Sequence, residues 1–277
     1  MGLRINTNIE SQHAQIALQS TFTKLAETEH RLASGSRILR AADDASGLAV
    51  SEHIHATLRS LRQNMVNTKT ALLFFQTADD AMTEINNVVG RFRELATQSA
   101  SDTISDEERG YLNKEAEALK LEVDRISKAT QFNGRPVLNV SGETLKVQVG
   151  PNNVDGIDRI NTTDDFNLTM ENLGLQNFSV LTTEQARQGL GQTDMALQTL
   201  ATIRASIGAF EARLLSTSQS LSQYEENNLS AYSEIRDADI AKETARFAQA
   251  KILAQAGAAV LTQANQTPSI ALKLLGA

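Results

Sequence analysis

LATIRASIGAFEARLLSTSQSLSQY, residues 200–224, carries Leu200, Ile207, Leu214 and Leu221 at intervals of seven, with Ile203, Phe210 and Tyr224 three positions on. A seven-residue apolar repeat with partners three residues later is the stripe of a helix packed nearly parallel to another along a seam. The same spacing recurs at Leu18, Leu25, Leu32 and Leu39, and again at Leu61, Thr68, Phe75, Met82 and Val89, flanked by Leu58, Met65 and Leu72. A fourth run is Ile240, Phe247, Ala254 and Leu261. The two longest helical segments, 45–100 and 183–235, exceed an ordinary globular helix. The expected class is mainly α: a long antiparallel bundle or coiled coil formed by N- and C-terminal segments, around a small central β-hairpin region.

Composition agrees. Of 277 residues, 41% are hydrophobic but only 4% aromatic, with no Trp, which suits helices packed side by side. The three prolines, Pro136, Pro151 and Pro268, fall outside the strong helical patterns. The absence of Cys excludes disulfides, thiolate metal sites and Cys nucleophiles. A net charge of −7 and a pI near 5.2 argue against nucleic acid as a partner. No stretch approaches the ~20 apolar residues of a membrane span. Residues 1–8 lack the apolar run of a secretory signal peptide, so the protein is expected to be either cytosolic or exported by a route that needs no cleaved signal.

Between the long helices, Ser105 followed by Glu108 marks a capping-box start, with Leu112, Ala116, Leu119, Val123 and Ile126 as the apolar face. Thr182 and Gln185 predict a second capping box. From about 132 to 175 the texture changes to strand and turn. Asn133-Gly134 is a turn signal. Leu145, Val147 and Val149 alternate with Lys146 and Gln148, and Gly150-Pro151-Asn152-Asn153 is a further turn. Residues 245–264 are rich in Ala. Small side chains bury little area, at about 25 cal/mol per Å², so both termini are expected to fray in a lone monomer and to order on assembly.

Catalytic and cofactor signals are weak. His53 and His55 do not share a helix face. Asp43-Asp44 and Asp79-Asp80 each diverge by about 100° on a helix, so neither pair alone makes an acid–base site. Glu107-Glu108-Arg109 and Glu225-Glu226 read as solvated faces, and Gly189-Leu190-Gly191 lacks the flanking elements of a phosphate loop. No enzyme, cofactor or metal is expected.

Ile5-Asn6-Thr7-Asn8, the run from Arg31 to Ile38, and the run from Ala41 to Ala49 (AADDASGLA) resemble bacterial flagellins in order and type. So do Arg93-Glu94-Leu95-Ala96, the runs Asp124-Arg125-Ile126 and Thr130 to Gly134, the run Arg204 to Ala209, Arg236-Asp237-Ala238-Asp239, Gln255-Ala256-Gly257 and Gln263-Ala264-Asn265-Gln266. The motifs span nearly the whole chain. Thr183 follows within eight residues of Leu175, so the resemblance is to a minimal type without the large variable outer domain. Gly90, Phe92, Glu234 and the final residues Leu274 to Ala277 depart from the family pattern.

What the resemblance implies is a structural subunit that polymerises into the flagellar filament for motility. Residues 1–45 and 239–277 would form the terminal coiled-coil domain lining the filament. Residues 46–238 would form a rod-like helical domain with β-hairpins at about 132–175. Polymerisation would run through Leu18, Leu25, Leu32, Leu39, Ile240, Phe247, Leu253, Val260 and Leu261. Asp43 would serve a bend or a subunit contact. Arg91, Leu95, Gln98 and Glu115 match positions that contact either a neighbouring subunit or the flagellin-sensing Toll-like receptor; Arg91, Leu95 and Gln98 share one helix face, read as polar with an exposed Leu. Partners would be further copies of the chain, a flagellar export chaperone, and the filament cap and hook-junction proteins, in a secreted, extracellular flagellum. The alternatives are a hook–filament junction protein and a discrete coiled-coil dimer.

Overall fold

The computed structural model describes residues 7–140, 144–162 and 166–275, with side chains up to residue 266. Its elements are α1 (Ile9–Ser34), α2 (Ala45–Ser99), α3 (Asp106–Ala129), β1 (Gln131–Phe132), β2 (Arg135–Pro136), β3 (Leu145–Gln148), β4 (Arg159–Thr162), α4 (Thr183–Arg236) and α5 (Ile240–Leu275). Ile5 and Asn6 of the opening motif, and Gly276 and Ala277, lie outside the described residues. Two compact units result: 1–56 with 227–277, and 57–226. Among the described residues no helix is long and apolar enough to cross a membrane.

In the unit 57–226 the heptad stripes meet as their spacing requires. Leu61, Thr68, Phe75, Met82 and Val89 are buried, as are Leu200, Ile207, Leu214 and Leu221. Tyr224 departs from its stripe and is half exposed. The few aromatics are concentrated. Phe75 stacks on Phe210 with ring centroids 5.7 Å apart, and edge contacts join it to Phe74 and Phe166 and Phe74 to Phe132. These five rings hold the helices and the β region to one core.

α3 starts on the predicted capping box, with Ser105 Oγ accepting from the Glu108 N–H while the Glu108 carboxylate accepts from the Ser105 N–H. The second capping box is half formed. The Gln185 N–H donates to Thr182 Oγ1, but the Gln185 side chain accepts from Ser179 instead. Two hairpins follow α3. Phe132 pairs with Arg135 across Asn133-Gly134, both at positive φ, and β3 pairs antiparallel with β4. The returning segment is tied down by hydrogen bonds from Leu168 N–H to Leu138 O, Ser99 Oγ to Val180 O, and Val180 N–H to Asn113 Oδ1.

Arg109 corrects the reading of its run as a solvated face. It is buried, and its guanidinium donates to Ser99 O, Ser101 O and Asp106. It thereby satisfies carbonyls orphaned at the end of α2. Glu225 likewise pairs with Arg62 at 2.6 Å. Phe92 is buried against Phe178 at 4.9 Å. Gly189 makes room for that ring, since a Cβ there would stand 2.8 Å from Phe178. Gly90 makes room for no neighbour, since nothing lies within 4 Å of where its Cβ would be. Gly90→Ala is therefore expected to stabilise this unit by about 0.5–1 kcal/mol, read as a raised midpoint in urea unfolding; an unchanged or lowered midpoint would refute it.

In the unit 1–56 with 227–277 the helices are interrupted at two places on one level, after α1 and between α4 and α5. α1 starts on Asn8, whose Oδ1 accepts from the Ser11 N–H, and ends at Gly35, whose φ of 69° is the left-handed cap conformation. Leu39 consequently lies beyond the helix and is exposed, while Ile38 is buried in its place. This corrects the expectation that the Leu18 heptad runs on to Leu39. The strand-like residues after the cap bond to the α4–α5 junction: the Arg37 N–H donates to Arg236 O at 2.7 Å and the Ala238 N–H to Gly35 O at 2.8 Å. Arg236 reaches Ser51 and Glu52 on α2.

Candidate assembly interface

α1 and α5 run antiparallel. Asn8 Nδ2 donates to Ala264 O at 2.9 Å and Ser11 Oγ to Asn265 Oδ1 at 2.7 Å, while Arg31 lies 4.0 Å from Glu243 at the other end. Between them Leu18 sits over Gly257. The seam residues of α1 are Ser11, Ala14, Leu18, Thr21, Leu25, Thr28 and Leu32, and those of α5 are Glu243, Phe247, Ala250, Ala254, Gly257, Leu261 and Ala264; each is buried or half-buried. Steps of three and four make this a heptad seam.

Of the expected polymerisation residues, Leu18, Leu25, Leu32, Phe247 and Leu261 are in this seam. They hold α1 to α5 within one chain. Leu253 and Val260 are exposed and off the seam; Ile240 continues the Phe247–Ala254–Leu261 heptad but, as the first residue of α5, is exposed at the seam's end. The apolar heptads alone pass over the small and polar seam members, Ser11, Thr21, Thr28, Glu243 and Ala250. The signal that could find them is their three- and four-residue offset from the Leu and Phe heptads.

The outer face of the pair is unusual for a two-helix unit. Ile9, Ile16 and Ile252 occupy the position diametrically opposite the seam, where a solvated coiled coil carries polar residues. Ile16 and Ile252 are each 65% exposed. Phe22, Leu253 and Val260 extend the apolar surface round the flanks. Ile9 and Ile16 on the back of α1 and Ile252 on the back of α5 lie on opposite sides of the pair, so each helix keeps apolar surface that the seam does not cover.

Asp43 builds the bend after α1. Its Oδ2 accepts from the Leu39 N–H at 2.9 Å and the Arg40 N–H at 3.0 Å, and Asp44 Oδ1 accepts from the Gly47 N–H at the start of α2. The two backbone donors, Leu39 first, hold the Asp43 carboxyl below the usual carboxylate range. A depressed carboxyl pKa contributes stability above the unfolded value, about 3.9, and loses it as pH falls through the folded value. Asp43→Ala at neutral pH is expected to mimic that acid loss, speeding tryptic cleavage after Arg40 several-fold. Equal cleavage rates would show that the carboxylate does not hold the bend.

The second candidate surface differs from its expected form. Arg91 donates to Glu115 and Glu94 at 2.7 Å each, joining α2 to α3, and Gln98 is exposed. Leu95 is 0% exposed and belongs to the core, so the expectation of an exposed Leu on this face is corrected. α2 is covered here by α3 and by the segment 166–180 as well as by α4, which widens its buried face beyond one heptad stripe. His53 and His55 are exposed, with His55 against Tyr232. Among the described residues no group of three or more His, Asp or Glu is arranged to hold a metal.

The bacterial flagellin N-terminal helical region matches residues 5–143 and the C-terminal helical region matches residues 190–275. The chain is 35% identical to a flagellin of Halalkalibacterium halodurans over 271 residues, covering 98% of this chain and 99% of that one. It is 35% identical to a flagellar filament 33 kDa core protein of Treponema phagedenis over 284 residues, covering 98% and 99%. It is 33% identical to a flagellin of Bacillus subtilis over 303 residues, covering 99% and 100%. The chain belongs to the bacterial flagellin family and is a structural subunit of a flagellar filament. It lacks a large outer domain, in keeping with its short link from Leu175 to α4.

Proposed function

We propose that the α1–α5 pair is the module through which subunits join, with roughly residues 1–45 and 239–277 lining the filament and 46–238 forming a rod-like helical domain. The supporting observation is the set of large apolar side chains that the seam leaves exposed on both helices. Ile9, Ile16, Phe22, Ile240, Ile252, Leu253 and Val260 gain little from a fold of one chain. Covering them with neighbouring copies would stabilise the polymer by on the order of 5 kcal/mol per subunit. The contact is head-to-tail, so it propagates as an open helix. The polar edge of Arg91, Gln98 and Glu115 is a second subunit contact in this reading.

The same exposed side chains have to be protected before assembly. An export chaperone binding α5 through Leu253 and Val260, and through the seam residues Phe247 and Leu261 before α1 pairs with them, would keep chains apart in the cell. Export to an extracellular filament would proceed through the flagellar secretion channel, and cap and hook-junction proteins would meet these side chains at the filament ends. Hydrogen exchange on monomer and filament tests the scheme. Amides of α1 and α5 are expected to exchange freely in the monomer and to gain at least about a hundredfold protection on polymerising. Protection unchanged by assembly would sink it.

A further inference from the structure

Two features of the unit 57–226 are left unused by the fold of one chain. The first is a groove between α2 and α4, about 340 Å³ in volume, with Arg62, Met65, Val66, Lys69, Leu72 and Leu215 on its walls. Val66 is 56% exposed and Leu215 52%. Arg62 is paired with Glu225, whereas Lys69 is exposed and has no ion-pair partner among the described residues.

The second is the loop 149–158, which joins β3 to β4 and is folded around Asp158. That carboxylate is buried and accepts from the N–H groups of Asn152 at 3.2 Å and Val154 at 3.0 Å. The Val149 and Gly150 N–H groups donate to the Asp158 carbonyl, and the Gln148 side chain donates to Gly150 O and Asn152 O at 2.7 Å each. The tip is thus shaped before any partner arrives, which lowers the ordering cost of binding. What it presents is apolar. Val154 is 49% exposed and Ile157 77%, the highest value for a large apolar side chain among the described residues. Asp155 is exposed between them and accepts from Asn161.

Groove and loop flank the same turns of α2 from different sides. At 3.6 residues per turn, Asn67, Ala71 and Phe74 share one face of α2, and Met65, Lys69 and Leu72 share a face roughly opposite. The first set meets the hairpins, and Asn67 Nδ2 donates to Gln148 O at 3.3 Å at the root of the loop. The second set walls the groove, which no residue of the loop enters. A copy set alongside could fill it. Contact between two different patches of identical chains is head-to-tail and repeats from copy to copy, as a filament subunit requires. The charges also match, because Asp155 beside Ile157 is the carboxylate that Lys69 lacks.

We propose that Ile157 of one subunit seats in the groove of Met65, Leu72 and Leu215 on the next, with Asp155 pairing to Lys69, as a lateral contact of the filament. This rests on the chain being a filament subunit, and not on the α1–α5 pair as the joining module.

The chain has no native Cys, so single engineered cysteines report the contact directly. Full-length chains carrying Ile157→Cys and others carrying Leu215→Cys are mixed, polymerised onto wild-type seeds and oxidised. A disulfide needs Cα atoms within about 7 Å. A covalent dimer joining 157 to 215 is expected by peptide mass spectrometry in the pellet and not in the soluble fraction. A mixture with Leu121→Cys in place of Ile157→Cys tests the other strongly exposed apolar residue of this unit, at 74%, and should give no dimer. Pelleted polymers without the 157–215 dimer overturn the proposal, whether or not 121 links to 215. A second measurement decides if the cysteine chains stay out of polymers. Lys69→Glu and Asp155→Lys are each expected to raise the critical concentration for polymerisation several-fold, and together to return it to within about twofold of wild type. Single variants without effect, or a double variant as poor as the two losses combined, would show that the charges do not meet, and the proposal falls. Hydrogen exchange in α1 and α5 reports the other interface separately, so protection there alongside a missing 157–215 dimer leaves the α1–α5 reading standing.

Discussion

Replacing Ile16 and Ile252 together by aspartate is expected to leave the folded monomer intact and to abolish polymerisation. Both side chains are 65% exposed and lie opposite the α1–α5 seam, so neither contributes much to the packing of one chain. Surface substitutions away from buried features shift stability by about 0.5 kcal/mol or less. In the polymer each aspartate would be buried against apolar neighbours without a counter-ion. An unpaired buried charge costs several kcal/mol, repeated in every subunit. Sedimentation after seeding reads the outcome, with urea unfolding as the control. Normal pelleting by the double variant would mean that both positions are solvated in the filament. A loss of monomer stability would mean that it already packs within the chain.

Phe75→Ala is expected to act in the opposite place. Phe75 is buried at the centre of the aromatic cluster, between Phe74, Phe166 and Phe210. Its removal takes away the transfer free energy of the ring and leaves a cavity, together about 3–5 kcal/mol. Three neighbouring rings lose a partner at once, and their stacked and edge contacts add to the loss. The unit 57–226 should then unfold at a markedly lower urea concentration. A shift under about 1 kcal/mol would show that the cluster repacks into the space. Because this residue holds the hairpins as well as the helices, proteolysis in 132–162 should also rise. The Ile16/Ile252 variant should leave that region unchanged.

The heptads of α2 and α4 are legible in the sequence because their periodicity is strict and their residues are large. Leu61 to Val89 and Leu200 to Leu221 leave a helix no other face to bury. The capping box of α3 is legible for a local reason, since Ser105 and Glu108 satisfy each other without distant help. Leu39 misleads because periodicity continues past a point where backbone conformation has already changed at Gly35. Leu95 misleads because one stripe predicts one partner helix, whereas α2 has three neighbours there. Arg109 misleads because its partners are carbonyls ten and eight residues back, at the end of another helix.

By itself the sequence determined that the chain is long helices with a small β insert, because period and capping are local properties of a segment. Only tertiary structure decided which face of each terminal helix closes the chain on itself and which is left over. That depends on the pairing of α1 with α5 across more than two hundred residues. The pairing puts Leu18 over Gly257, buries Glu243 beside Arg31, and leaves Ile16 and Ile252 outward. An isoleucine is equally apolar in a seam and on its back; only the partner helix determines which of the two it occupies.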